Sequence, residues 1–215
     1  MPGSERQERR SMVRKQIARR GIADRRVLGA MAHVPRERFV PDDQKHLAYA
    51  DQPLPIGQNQ TISQPYIVAL MAERAGLSRH SSVLEIGTGS GYAAAVFARI
   101  AKHVWTVERL SALAEEASHR FVELGLDNIT IIMGDGAIGY PEAAPYDAII
   151  VAAAAPRTPK TLLDQLAMDG SLVIPVGDRA YQDLCVIRRT AAGYVEDSAG
   201  ACRFVPLVSP EAFDD

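Results

Sequence analysis

From residue 81 onward the chain repeats one pattern: a short apolar run, a turn, a helical stretch, then another short apolar run. Val83-Leu84-Glu85-Ile86 leads into Gly87-Thr88-Gly89-Ser90-Gly91 and a helical run over 92–101. Residues 103–107 read as a second strand, and Ser111 as the cap of a helix that ends near Gly125. Further strands are predicted over 129–133, 148–151 and 172–176, with a helix over 159–168 before the last of them. Strands alternating with helices of this length make βαβ units and a mostly parallel sheet. After Gly177 the helical pattern stops, and 184–189 and 202–208 read as closing strands. In an open α/β fold the ligand site lies at the carboxyl ends of the strands. The residues just after each strand should therefore carry the chemistry.

Upstream of residue 81 the text is different. Residues 1–20 hold seven basic side chains against Glu5 and Glu8, which leaves −7 for the rest of a chain of net charge −2. Such a stretch suits a nucleic-acid arm, a transit peptide, or a solvated helix docked through Met12, Val13 and Ile17. The last reading is preferred, because that spacing makes one helix face. A second helix follows Asp24 as its N-cap, with Val27, Leu28 and Met31 on one face. Pro35 and Pro41 bracket an irregular stretch. Residues 51–65 (DQPLPIGQNQTISQP) form a long irregular segment, and Leu54, Ile56 and Ile62 argue that it packs. A helix over 67–75 closes at Gly76.

Several classes are excluded. The longest purely apolar run, 148–155, has eight residues, against about 20 for a bilayer helix. The first thirty residues lack the apolar stretch of a secretory signal. Near-zero net charge argues against wholesale nucleic-acid binding. Cys185 and Cys202 have no metal-like spacing, and His33, His46, His80, His103 and His119 do not pair, so no metal is expected. A reducing cytoplasm fits best.

The glycine loop at Gly87, Gly89 and Gly91 sits between a strand and a helix, where missing Cβ atoms let the backbone turn sharply or approach a ligand. A tight turn alone would look the same. The dinucleotide pattern wants glycine where this chain has Tyr92, so the spacing, with Glu85 two residues ahead of Gly87, suits an adenosyl-methionine loop instead. Glu108 ends the second strand, where a carboxylate can accept from both ribose hydroxyls, or else be a solvated strand-end acid. Asp135, between Gly134 and Gly136, is a partner for an adenine amino group or the acid of an Asp-Gly turn. Ser63 reads locally as an N-cap for the helix at Gln64-Pro65.

These residues lie in a chain that resembles the protein-L-isoaspartate O-methyltransferase family from about Gly21 to Leu207. The resemblance rests on VPRERFVP (34–41), LPIGQNQTISQPY (54–66), VLEIGTGSGY (83–92), GDG (134–136), the AAP segment around Pro156, IPVG (174–177) and RFVPL (203–207). The TISQP piece discriminates best, since generic methyltransferases share only the glycine loop. The family implies a Rossmann-like class I S-adenosylmethionine-dependent methyltransferase fold, with an N-terminal helical extension and C-terminal closing strands. Residues 1–80 would be N-terminal helices and an active-site lid packed on the same domain, 81–208 the α/β core with its substrate-side strands, and 209–215 a mobile tail.

The resemblance also implies roles. Glu85 and the loop of Gly87, Thr88, Gly89 and Gly91 would form the methionine side of the cofactor site. Glu108 would take the ribose, and Asp135 with Gly136 the adenine. Gln60, Thr61 and Ile62 would cover the methyl group, with Ser63 as the active-site residue. Val205, Pro206 and Leu207 would help hold the peptide. Asn59 stands where many relatives carry glycine, and Ala152 where many carry threonine. The implied reaction is methyl transfer from S-adenosylmethionine, leaving S-adenosylhomocysteine, to isoaspartyl carboxylates of age-damaged proteins. A cytoplasmic monomer without nucleic-acid or membrane partners is expected. The rival readings are a methyltransferase of RNA or a small molecule, and a non-catalytic cofactor-binding module. The 6% aromatic content speaks against base stacking.

Overall fold

The computed structural model describes residues 2–214. Its centre is a seven-stranded sheet in the order β5-β4-β3-β6-β7-β8-β9. The five parallel strands are β3 (Ser82–Ile86), β4 (His103–Glu108), β5 (Ile129–Met133), β6 (Tyr146–Val151) and β7 (Leu166–Gly177). Two antiparallel strands, β8 (Gln182–Thr190) and β9 (Gly193–Cys202), close one edge. From β3 the chain builds outward to β4 and β5, then returns to the other side of β3 with β6. That reversal opens a crevice at the carboxyl ends of β3 and β6.

Alternate strand residues feed two buried clusters, as a pleated strand requires. Val83, Val104, Ala148, Ile150 and Val173 face one side of the sheet, and Leu84, Ile86, Ile149, Val151 and Leu172 face the other. Burial on both faces is why the central strands read as unbroken apolar runs. The first face is covered by α1 (Pro2–Met12), α2 (Arg25–His33), α3 (Pro65–Arg74), α4 (Tyr92–Ala98) and α5 (Ser111–Glu123). The second is covered by α6 (Lys160–Asp164) and the connection before β6. No helix among the described residues is long and apolar enough to cross a membrane.

The N-terminal reading holds in detail. α1 continues through a π turn at Val13–Ile17, and Met12, Val13 and Ile17 are buried against the body. Asp24 caps α2, its carboxylate accepting from the Arg26 amide at 2.8 Å.

Five expectations are corrected. The helix predicted over 159–168 lasts one turn, because the Tyr146 amide takes the Gln165 carbonyl and Leu166 pairs with Tyr146 in the sheet. Ser111 begins α5 without capping it; Leu110 is the N-cap residue. The last closing strand is β9, with 203–208 irregular apart from single bridges at Pro206 and Val208. β9 lies exposed at the sheet edge, so its sequence has no apolar alternation to read. The segment 51–65 is not irregular throughout. It contains a two-stranded hairpin, β1 (Leu54–Gly57) and β2 (Gln60–Ile62), joined by Gln58 and Asn59 at φ 52° and 56°. Both positive angles make the type I′ turn that matches strand twist. Finally, the tail packs: the Ser209 hydroxyl donates to Asp135 at 2.7 Å, and Phe213 donates its amide to the Leu207 carbonyl.

Candidate active site

One pocket gathers four segments at the carboxyl edge of the sheet: the glycine loop after β3, the end of β4, the turn after β5 and the chain beyond β6. The hairpin and residues 205–208 roof it. Of the residues singled out from sequence, Gln60, Thr61, Ile62, Ser63, Gly87, Thr88, Gly89, Glu108, Gly136, Val205, Pro206 and Leu207 line this pocket.

Glu108 is 6% exposed and is held by backbone. Its Oε2 accepts from the Gly89 amide at 2.9 Å, and its Oε1 from the amides of Arg109 and Leu110 at 2.9 and 3.0 Å. A carboxylate has about four acceptor sites, so one remains for a ligand hydroxyl. The same bonds fix the glycine loop against the end of β4. Gly136 presses on the end of β3, where a Cβ would collide with Ile86.

Three sequence-predicted residues do not line the pocket. Glu85 lies beneath the loop, fully buried. Thr106 donates to its Oε2 at 2.5 Å, and the Thr88 hydroxyl pairs with Thr106 at 2.7 Å, while Oε1 has no partner. Burial pushes the Glu85 carboxyl up to about 8, the Thr106 bond opposing and Glu108 adding to the rise. Gly91 turns at φ 87° with its Cα against α5, where a Cβ would stand 2.7 Å from the Phe121 ring. It sets helix packing, not ligand contact. Asp135 lines an adjoining recess that shares Arg109 and Val208 with the main pocket. Its Oδ1 accepts from the Ala137 amide and its Oδ2 from Ser209.

Ser63 does not cap α3. Gln64 is the N-cap residue, with Pro65 at the first helical position. Ser63 instead stands at the boundary between two cavities. The second is a groove that shares Thr61, Ser63, Ala152, Val205 and Pro206 with the first and runs out past Tyr66, Cys202 and Phe204. Sequence reasoning missed this groove, because its walls come from α3, β8 and β9, which meet only in the fold. It also missed Tyr92, directly after Gly91, and Leu110, two residues after Glu108, in the pocket wall.

A family description, protein-L-isoaspartate(D-aspartate) O-methyltransferase, matches residues 7–212. The chain belongs to this family. It is 52% identical over 208 residues to a protein-L-isoaspartate O-methyltransferase of Methanoregula boonei, covering 97% of this chain and 96% of that one. It is 53% identical over 208 residues to the enzyme of that name from a Synechococcus, covering 94% and 85%. A structure from Plasmodium falciparum, described as a protein-L-isoaspartate O-methyltransferase in complex with S-adenosyl-L-homocysteine, superposes with a TM-score of 0.81. It has 28% identity, and the match covers 93% of this chain and 98% of that one. The isoaspartate methyltransferase family thus accounts for the upstream TISQP segment as well as for the glycine loop.

The residues present fit S-adenosylmethionine. Glu108 keeps acceptor capacity at the pocket wall, the unpartnered Oε1 of Glu85 lies under the loop, and Ile62, Val68, Ile86 and Leu207 supply apolar wall. Among the described residues no cluster of side chains could hold a metal ion.

Proposed function

We infer that this protein transfers a methyl group from S-adenosylmethionine to the free α-carboxylate of L-isoaspartyl residues in damaged proteins. The observation that carries this reading is the position of Ser63, where the pocket fitted to the cofactor meets a groove open to a peptide. Bound S-adenosylmethionine supplies an electrophilic methyl group on a sulfonium cation.

The chain's own residues have little acid–base work to do. A carboxylate near pKa 3.5–4 is already ionised at neutral pH and needs no general base. What it needs is alignment, which can supply about 7–11 kcal/mol at most. In this proposal the remaining acceptor position of Glu108 takes a ribose hydroxyl, and Gly87, Thr88 and Gly89 serve the methionine end, with Glu85 supporting them from beneath through Thr106 and Gly91 seating the loop on α5. Asp135 and the Gly136 backbone serve the adenine; this requires the Ser209 hydroxyl to share or yield Asp135. The Ser63 hydroxyl, which makes no hydrogen bond to any described residue, orients the acceptor carboxylate. The hairpin keeps water out, and Val205, Pro206 and Leu207 hold the peptide. Attack by the neighbouring backbone nitrogen on the methyl ester expels methanol. The resulting succinimide opens partly to normal aspartate.

Burial pushes the thiols of Cys185 and Cys202 up, to about 12 and about 11, so neither is an active nucleophile at neutral pH. The test is a labelled methyl donor offered to an isoaspartyl peptide, its normal aspartyl twin and bulk RNA. Base-labile transfer to the first alone supports the proposal. Transfer to RNA favours the rival methyltransferase, and no transfer favours a binding module.

A further inference from the structure

Arg36 opens the 3₁₀ turn Arg36–Arg38, and its side chain is completely buried. A guanidinium taken out of water is costly unless acceptors replace its hydration. Among the described residues no carboxylate hydrogen-bonds to it; Asp51 attracts it only through space. Three backbone carbonyls do the work. Nη1 donates to Ala48 at 3.2 Å, and Nη2 to Gln52 at 3.2 Å and to Ser63 at 2.9 Å. Nε has no partner, and the Tyr92 ring lies 5.3 Å from Cζ, within cation–π range.

The places of those acceptors are informative. Ala48 and Gln52 precede the hairpin, and Ser63 follows it. Tyr92 begins α4 and lines the pocket. One planar fork therefore bridges both stems of the hairpin and rests them against the wall of the cofactor site. An apolar core residue could fill the volume but could not bind three carbonyls. Asp51 secures the same stems independently, accepting from the Tyr66 amide at 2.9 Å and from the Gln64 side chain at 2.8 Å. With that second clasp in place, losing the fork should loosen the stems without releasing them.

We propose that Arg36 is a positioning residue for methyl transfer, clasping the two hairpin stems so that the main chain at Ser63 presents its hydroxyl to the acceptor carboxylate. The proposal rests on the reading of Ser63 given above, and the test separates the two. Wild type, Arg36→Lys, Ser63→Ala and the double variant are compared for methyl-transfer rate on an isoaspartyl peptide, for S-adenosylhomocysteine affinity by calorimetry, and for thermal melting. Lysine keeps the charge but lacks the fork. Arg36→Lys should melt cooperatively, bind S-adenosylhomocysteine within threefold of wild type, and lose five- to fiftyfold in kcat. In the Ser63→Ala background the same change should cost less than twofold, because no hydroxyl remains to be misplaced. Losses that multiply in the double variant overturn the role of Arg36 and leave that of Ser63 standing. A kcat within twofold of wild type, or loss of cooperative melting, in Arg36→Lys also overturns it. A Ser63→Ala enzyme of near-normal rate instead removes the reading of Ser63 on which the proposal rests.

Discussion

Glu85 gives a prediction that reaches from burial to the pH dependence of stability. Its carboxyl is fully buried, with one hydrogen bond at Oε2, none at Oε1, and the charge of Glu108 nearby. The folded protein should hold the Glu85 proton until about pH 8, whereas an unfolded chain releases it at the ordinary carboxyl value of 4.5. Between those values the folded state binds more protons than the unfolded one, so stability falls as pH rises. Below 4.5 both states are protonated and the group costs nothing; above about 8 the full cost is present. Each pH step inside the window removes about 1.4 kcal/mol, or at most about 4 kcal/mol between pH 5 and pH 8. Glu85→Gln keeps the shape and abolishes the titration. Urea or thermal unfolding of both proteins at pH 5, 6, 7 and 8 should show the wild type losing ground to the variant, by roughly 10 °C in Tm across the range. Parallel curves would refute the reasoning, since they would mean that Glu85 is already ionised in the fold.

Substitutions at three further positions test the site. Ser63→Gly and Ser63→Ala should melt within about 0.5 kcal/mol of each other, because Ser63 is no cap, and both should lose turnover by roughly ten- to a hundredfold. A Gly variant within twofold of wild type would remove Ser63 from the catalytic list. Glu108→Ala should weaken S-adenosylhomocysteine binding tenfold or more, since hydrogen bonds to a charged group contribute about 1.5–3 kcal/mol each; an unchanged Kd in calorimetry sinks the ribose role. Gly91→Ala should destabilise by about 2–4 kcal/mol, combining left-handed strain with overpacking against Phe121. Denaturation within about 0.5 kcal/mol of wild type would contradict the close approach seen at that ring.

The sequence made the centre of the fold readable and its margins obscure, for a physical reason. β3 and β6 are buried on both faces, so Val83-Leu84 and Ile149-Ile150 stand out as apolar runs bounded by glycine and alanine turns. β9 is exposed along nearly its whole length, and its place is set by pairing with β8. Nothing in residues 193–202 announces a strand. The hairpin strands have only four and three residues, too short for alternation to be seen amid proline and amides. At the site, Glu108 and the glycine loop were legible because position in a βαβ unit determines what they face. Ser63 was misread as a cap because local sequence offered a helix start and could not offer the groove. Arg36 stood out only as part of the VPRERFVP motif, with no role attached: a buried cation bound to carbonyls leaves no charge partner in the sequence.

The central claim is that the acceptor is the isoaspartyl carboxylate and that its esterification starts repair. A synthetic isoaspartyl peptide incubated with the protein and S-adenosylmethionine, then separated by reverse-phase chromatography over hours, tests this directly. The account predicts a methyl ester first, a succinimide as the ester decays, and a growing fraction of the normal aspartyl peptide that is absent when the methyl donor is omitted. A peptide that stays wholly isoaspartyl while the protein remains folded and binds S-adenosylhomocysteine would contradict it.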